Sequence, residues 1–297
     1  MNTLLIAVFT GLSGMIGWGL ADFFAKKTVD KIGDLATLAW AHVCGVILLA
    51  ILVVGKFFSE GTIGVLPENA NELGLIAGFG ALQALVYYFA YRAFSKGKLA
   101  ILNPIFSSYS GFVVILSVLV FGEILGLLQL ATLGLVFLGI LTISVDDESL
   151  LVKQLKLNKH PGVPDILMAV LLAALWTVLW GHFVIGKDWL LYASIMYVFM
   201  TITIFILCMF QNTNLRVRDT KIWKYFVFIG IGEVVAYVGV SIGYSLTTHT
   251  SIVAVLSAAF SVPTLILAHY FLRERITFLQ KIGVGLVIVG VSALPLL

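Results

Sequence analysis

The sequence predicts an all-α polytopic membrane protein, ten transmembrane helices arranged as a five-plus-five inverted-topology repeat. Three observations carry that expectation. Of 297 residues, 61% are hydrophobic and 11% charged, less than half the charged share of about 25% in soluble domains. Apolar runs of about 20 residues, the length that crosses a bilayer core, recur along the whole chain. The same spacing of glycines, aromatics and carboxamide or carboxyl side chains occurs twice, as internal repeats in transporters do.

The spans fall at approximately 3–24, 35–55, 73–94, 99–121, 125–145, 165–186, 189–210, 223–245, 251–271 and 276–296. The longest connections, 56–72, 146–164 and 211–222, are too short for a soluble domain. Residues 1–145 therefore read as a first five-span repeat, 146–164 as a cytoplasmic linker and 165–297 as a second five-span repeat. The first cations, Lys26 and Lys27, follow the first apolar run, so it does not read as a cleavable signal. Cys44 and Cys208 both fall inside spans, without metal-ligand spacing and with no extramembrane disulfide to make. The net charge of +3 is accounted for by topology and gives no reason to expect nucleic acid.

The loops joining spans 1–2, 3–4, 5–6, 7–8 and 9–10 hold sixteen of the eighteen Lys and Arg; the others hold only Lys56 and Lys187. Cytoplasmic loops carry such an excess. Both termini are therefore expected outside the cytoplasm, in a prokaryotic inner membrane.

Gly80, Gln83, Tyr87 and Phe94-Ser95 have the mutual spacing of Gly230, Glu233, Tyr237 and Tyr244-Ser245. Glu123, Gln129, Gly134 and Gly139 likewise match Glu274, Gln280, Gly285 and Gly290, in a register one residue different, which fits an insertion near His249. Arg92, Lys96 and Lys98 in loop 3–4 face only His249 in the matching loop 8–9. The cation-free loop 4–5 matches loop 9–10 with Arg273 and Arg275. Opposite charge bias in matching loops means matching helices of opposite orientation. Spans 1 and 2 align less clearly: Trp18 pairs with Trp176 and Trp40 with Tyr197, or Trp18-Gly19 pairs with Trp180-Gly181.

The run Trp18-Gly19-Leu20-Ala21-Asp22-Phe23, Asn103-Pro104 early in span 4, and Glu274-Arg275-Ile276-Thr277 with Gln280 resemble the EamA family of the drug/metabolite transporter superfamily. The similarity runs over essentially the whole chain. It implies a secondary transporter, often an exporter of amino acids or related metabolites, in a superfamily that also moves sugars, nucleotide sugars, phosphorylated sugars and cationic drugs.

Glu233 lies about ten residues into span 8, near the bilayer midplane at a rise of about 1.5 Å per residue. Ionisable groups at that depth are functional candidates by default. Gly230, Glu233, Tyr237, Ser241 and Tyr244 share one helix face, and Gly80, Gln83, Tyr87, Tyr91 and Phe94 share the matching face of span 3. Two such faces would enclose an asymmetric central cavity; alternatively, a protonated Glu233 hydrogen-bonds between helices. Asp22 follows Gly11, Gly14 and Trp18 along one side of span 1. It stands one turn from Lys26, so a surface ion pair competes with a coupling role.

Span 4 offers Asn103, Pro104, Ser107, Ser108, Tyr109 and Ser110; span 9 offers Ser257, Ser261, Pro263 and Thr264, where Pro263 frees a carbonyl near Ala259. Trp189 and Trp223 read as interface anchors. Trp18, Trp40, Trp176 and Trp180 lie deeper, and the repeat favours Trp18 and Trp176 for a cavity. His42 is a titratable or simply packed group. Glu123 and Glu274 read as helix-end groups, and Asp146-Asp147-Glu148 as the start of a linker helix or, for an enzyme, an acidic metal cluster.

The expected substrate-binding set is Glu233, Tyr237, Gln83, Tyr87, Trp18, Trp176, Asn103, Ser107, Ser257 and Tyr244, with Glu233 and Asp22 for proton coupling and no metal or cofactor. The function expected is export of a small metabolite such as an amino acid by alternating access, with proton coupling. A facilitative or uptake carrier for a sugar-like neutral solute is the alternative, and a membrane enzyme or lipid scramblase the reading from another class. Expected partners are the small-molecule substrate and membrane lipid, with the chain acting as a monomer or weak homodimer.

Overall fold

The structure, a computed structural model, describes residues 3–143 and 161–297. The spans appear as α1 (Thr3–Ile32), α2 (Asp34–Glu60), α3 (Ala70–Lys96), α4 and α5 (Leu99–Ser107 and Tyr109–Leu119, together span 4), and α6 (Leu127–Ile143). They continue as α7 (Val163–Phe183), α8 (Trp189–Phe210), α9 (Trp223–Leu246), α10 and α11 (Thr250–Ala258 and Ser261–Leu267, span 9), and α12 (Phe278–Ala293). Among the described residues there is no strand, nine helical stretches are long and apolar enough to cross a membrane, and α6 is a shorter apolar helix. Asp146-Asp147-Glu148 and most of the linker lie outside the described residues.

The helix ends follow local chemistry. Asn69 and Asp188 accept hydrogen bonds from Glu72 N and Leu191 N, 2.9 Å each, and so cap α3 and α8. Gly61, at φ 72°, closes α2 in the left-handed conformation glycine tolerates. Because α2 runs on to Glu60, its connection to α3 is shorter than the predicted 56–72.

Spans 4 and 9 are broken at matching points. Leu99–Ser107 maps onto Thr250–Ala258 by the same shift that takes Glu123 to Glu274. At the breaks Ser108 N bonds Ile105 O at 3.1 Å and Ala259 N bonds Leu256 O at 3.2 Å, tightened turns that interrupt the α-helical ladder. The carbonyl that Pro263 releases at Ala259 is taken up by Val262 N at 2.9 Å. Residues 97–98 join α3 to α4, whereas 247–249 join α9 to α10, so the extra residue lies in the loop that holds His249.

The loops gather at two ends. At one, Lys26 Nζ donates to Phe94 O and Gly97 O (2.8 and 3.1 Å), and Asp165 at the start of α7 pairs with Arg92 and Lys96. At the other, Lys56 pairs with Asp188 at 2.7 Å and Lys187 with Glu72 at 2.8 Å. There Glu123 accepts from Ser251 Oγ at 2.7 Å and from Ser251 N, capping α10 from across the chain. Burial holds the Glu123 carboxyl above its ordinary range despite the hydrogen bonds from Ser251.

The packing maps onto itself when the two halves are exchanged. α1 lies on α9 and α10 as α7 lies on α3 and α4, α2 lies on α9 as α3 lies on α8, and α6 lies on α12. Gly80 meets the Met196–Met200 backbone of α8, and its counterpart Gly230 meets Cys44 and Gly45 of α2. In the α6–α12 pair a Cβ on Gly139 would lie 2.8 Å from Gly283 O, and one on Gly283 2.6 Å from Gly139 O, whereas Gly134 and Gly285 face open space. Gly139→Ala is expected to lower the thermal unfolding midpoint in detergent by the equivalent of about 1–3 kcal/mol. Gly134→Ala should leave it unchanged or raise it by up to about 1 kcal/mol. Equal effects at both positions would contradict this packing.

Candidate functional site

Between α1, α3 and α7, with α4, α5 and the turn before α11 closing it, lies a cavity of about 30 Å³. That is room for about one or two waters, so the walls are drawn together. Its lining includes Trp18 and Asp22 of α1, Gln83 and Tyr87 of α3, and Trp176 and Thr177 of α7, with Phe106, Tyr109 and Phe260.

Asp22 is held by Asn103. Its Oδ2 accepts from Asn103 Nδ2 at 2.5 Å, and the side chain is buried. Lys26, the competitor for an ion pair, turns instead to Asp30 at 2.9 Å and to the carbonyls ending α3. The surface ion pair is thereby replaced by a buried carboxyl on a cavity wall. The close approach of α1 to span 9 that places it depends on Gly11, Gly14 and Gly19, which touch Leu256, Ser257 and Pro263.

Three buried polar atoms on this lining have no hydrogen-bond partner: Trp18 Nε1, Trp176 Nε1 and Gln83 Oε1. Each costs about 1–3 kcal/mol if left unpaired. The indoles of Trp18 and Trp176 approach the Tyr237 ring alike, at 5.8 and 6.1 Å and both at 89°. This favours the alignment of Trp18 with Trp176. Trp180 instead stacks on Trp176 at 5.9 Å.

The other candidates take different places. Tyr237 stands one layer behind the wall, its hydroxyl receiving Gln83 Nε2 at 2.7 Å. Glu233, fully buried, is further back: Tyr197 donates to its Oε2, Tyr91 lies 3.5 Å from Oε1, and His42 Nε2 lies 3.6 Å from Oε2. Asn103 serves Asp22. The Ser107 and Ser257 hydroxyls bond carbonyls of their own helices, Asn103 O at 3.2 Å and Ala254 O at 3.0 Å, and Ser257 lies against Gly14. Tyr244 is further along α9, beside Gly181. Trp40 donates to Leu215 O at 2.8 Å and so ties α2 to the α8–α9 loop.

Phe106, Thr177 and Phe260 line the cavity without having been singled out for it, beside Tyr109, one of the polar groups that span 4 offered. Tyr109 and Phe260 occupy equivalent positions in the register that matches Glu123 to Glu274, so the repeat held a signal for them. Tyr91 stood on the span-3 face expected to enclose the cavity and Tyr197 was paired with Trp40 by the repeat, but their meeting with Glu233, which forms across helices, was not legible.

A crystal structure of a protein 16% identical in sequence covers 98% of this chain and 98% of its own, with a TM-score of 0.71, and so shares the fold. A comparison with the curated proteins finds no match. The model of the EamA-like transporter family matches twice, over residues 5–145 and 160–294. With nearly the whole sequence covered by two copies of that unit, the chain belongs to the EamA-like transporter family.

Proposed function

We propose that the chain carries a small polar metabolite, such as an amino acid, through the cavity between α1, α3 and α7, exporting it by alternating access of two inverted repeats. The observation that carries this reading is the set of unpartnered atoms on the lining. The unpartnered indole N–H groups and Gln83 carbonyl, with the Asp22 carboxyl beside them, ask for a solute with both acceptors and donors. An amino acid supplies a carboxylate to the first and an ammonium group to the second. At about 30 Å³ the cavity must widen to admit it, which fits a carrier whose halves separate first towards one side and then the other.

The inverted relation is supported by the meeting of the start of α7 and the end of α1 at the same end of α3. The orientation follows the cations. At the end proposed to be extracytoplasmic, among the described residues, Lys56 and Lys187 are both neutralised by carboxylates. The opposite end carries the basic loops expected of a cytoplasmic face, which supports a reading with both termini outside a prokaryotic inner membrane. The chain works in contact with lipid as a monomer or weak homodimer. Inward proton flow drives export.

The aromatic lining supports a second reading, facilitated movement of a sugar-like neutral solute, since sugars stack on such rings while their hydroxyls both donate and accept. Counterflow in proteoliposomes with labelled amino acids, sugars and organic cations decides between them. Uptake of amino acids that a pH gradient accelerates supports the first. Uptake confined to sugars and indifferent to the gradient supports the second.

A further inference from the structure

Behind the cavity wall, beyond Tyr87 of the lining and Tyr237 of the layer behind it, His42 of α2 and Glu233 of α9 face one another in full burial. The His42 ring is held flat against Tyr197, at 5.1 Å and 20°, and edge-on to Tyr87 at 5.4 Å. Its Nδ1 lies 2.9 Å from Leu38 O. A carbonyl oxygen can only accept, so Nδ1 carries a hydrogen. This leaves Nε2, which has no hydrogen-bond partner, 3.6 Å from Glu233 Oε2 and a few tenths of an ångström outside bonding range.

A neutral imidazole in this tautomer presents a lone pair to a carboxyl oxygen. Without a proton between them, two acceptors oppose each other and the carboxylate is buried with no counter-charge. Among the described residues, the titratable groups around Glu233 besides His42 are Tyr87 and Tyr91 from α3, Tyr197 from α8, Tyr237 from α9, Cys44 from α2 and Asp22 from α1. None is a cation. Tyr197 and Tyr91 can donate to the carboxyl oxygens, but neither neutralises the charge. A bare buried carboxylate costs several kcal/mol; a single proton on either partner removes both the lone-pair clash and the net charge.

We infer that His42 and Glu233 jointly hold one proton and form the proton-binding site of the transporter, one layer behind the solute cavity. The closed arrangement contains either a carboxylic acid with a neutral imidazole or a carboxylate with an imidazolium. When opening hydrates the pair, the proton leaves to water, and the remaining negative charge opposes reclosure until another proton or a compensating change arrives. The coupling half of this inference rests on the transporter reading; the occupancy of the pair by a proton does not.

The test has two arms. In the first, wild-type protein in detergent, with ¹⁵N-labelled histidine, is examined at neutral pH by nitrogen NMR and infrared spectroscopy. A carboxylic-acid band removed by Glu233→Gln, or an imidazolium signal removed by His42→Gln, is expected. A wild-type spectrum with every buried carboxyl ionised and every histidine neutral overturns the proposal and requires neither variant to fold. In the second arm, wild type must first show solute counterflow; its absence tells against transport itself and leaves the first arm readable. Given counterflow, accumulation driven by a pH gradient is expected to fall at least about tenfold in both variants, by a larger factor than counterflow falls in the same proteins. Gradient-driven accumulation equal to wild type in both variants overturns the coupling role.

Discussion

Asp22→Asn is expected to weaken the apparent affinity for the transported solute by about 10- to 100-fold while leaving the protein folded. A hydrogen bond to a charged group contributes about 1.5–3 kcal/mol, and each 1.4 kcal/mol is about tenfold in affinity. The fold should survive because the substituted amide still offers an oxygen to Asn103 Nδ2, the contact that positions Asp22 at 2.5 Å. Trp176→Phe keeps an aromatic ring while removing the unpartnered Nε1 and part of the indole's packing area, and should produce a smaller loss. The concentration dependence of counterflow measures both. Unchanged half-saturation in Asp22→Asn would mean that Asp22 merely satisfies Asn103 and never meets the solute.

The second large effect is expected where α1 crosses α9. A Cβ on Gly232 would stand 2.6 Å from Gly17 O, and one on Gly17 would stand 2.7 Å from Ala236 N. The obstructing atoms are backbone, so they cannot swing aside as a side-chain tip would. Gly232→Ala should destabilise the protein by about 1–3 kcal/mol, more than offsetting the helix-propensity gain of about 0.5–1 kcal/mol. Gly232→Val should prevent recovery of folded protein. Transport falls in the same variants, because this crossing positions Trp18 and Asp22 on one helix and Glu233 and Tyr237 on the other. Thermal unfolding in detergent gives the answer. A Gly232→Ala protein as stable as wild type would show that the helices can part here without cost.

Much of the architecture was legible in the sequence because membrane folding imposes length, apolarity and loop charge on each span separately. The repeat went further and located backbone chemistry. Gln129 Oε1 accepts from Gly126 N, and its counterpart Gln280 Oε1 from Thr277 N, both at 3.0 Å. Glu123 N and Glu274 N close matching turns onto Ser117 O and Ala268 O. Gly122 and Arg273, at φ 68° and 58°, share the left-handed conformation just before them.

The site was less legible, since it depends on how helices rotate against one another. Glu233 drew attention as a midplane carboxyl, but rotation of α9 sets it behind the cavity wall and gives the wall carboxyl to Asp22. Lys26, four residues along, suggested an ion pair for Asp22; the nearby end of α3 offered Lys26 two carbonyls instead. The breaks in spans 4 and 9 were anticipated only through Pro263. The equivalent break at Ser107-Ser108 has no proline at the matching position and follows from hydroxyls that bond their own helix backbone.

The measurement to make first places a cysteine at Thr177, on the same cavity lining as Asp22, in a protein with Cys44 and Cys208 replaced. Its reaction with a small thiol reagent is then followed with and without the solute found by counterflow. Protection by that solute, half-maximal at the concentration that half-saturates transport and lost in Asp22→Asn, is the result expected if solute passes between α1, α3 and α7. A labelling rate indifferent to saturating solute would put the transport path elsewhere in the molecule.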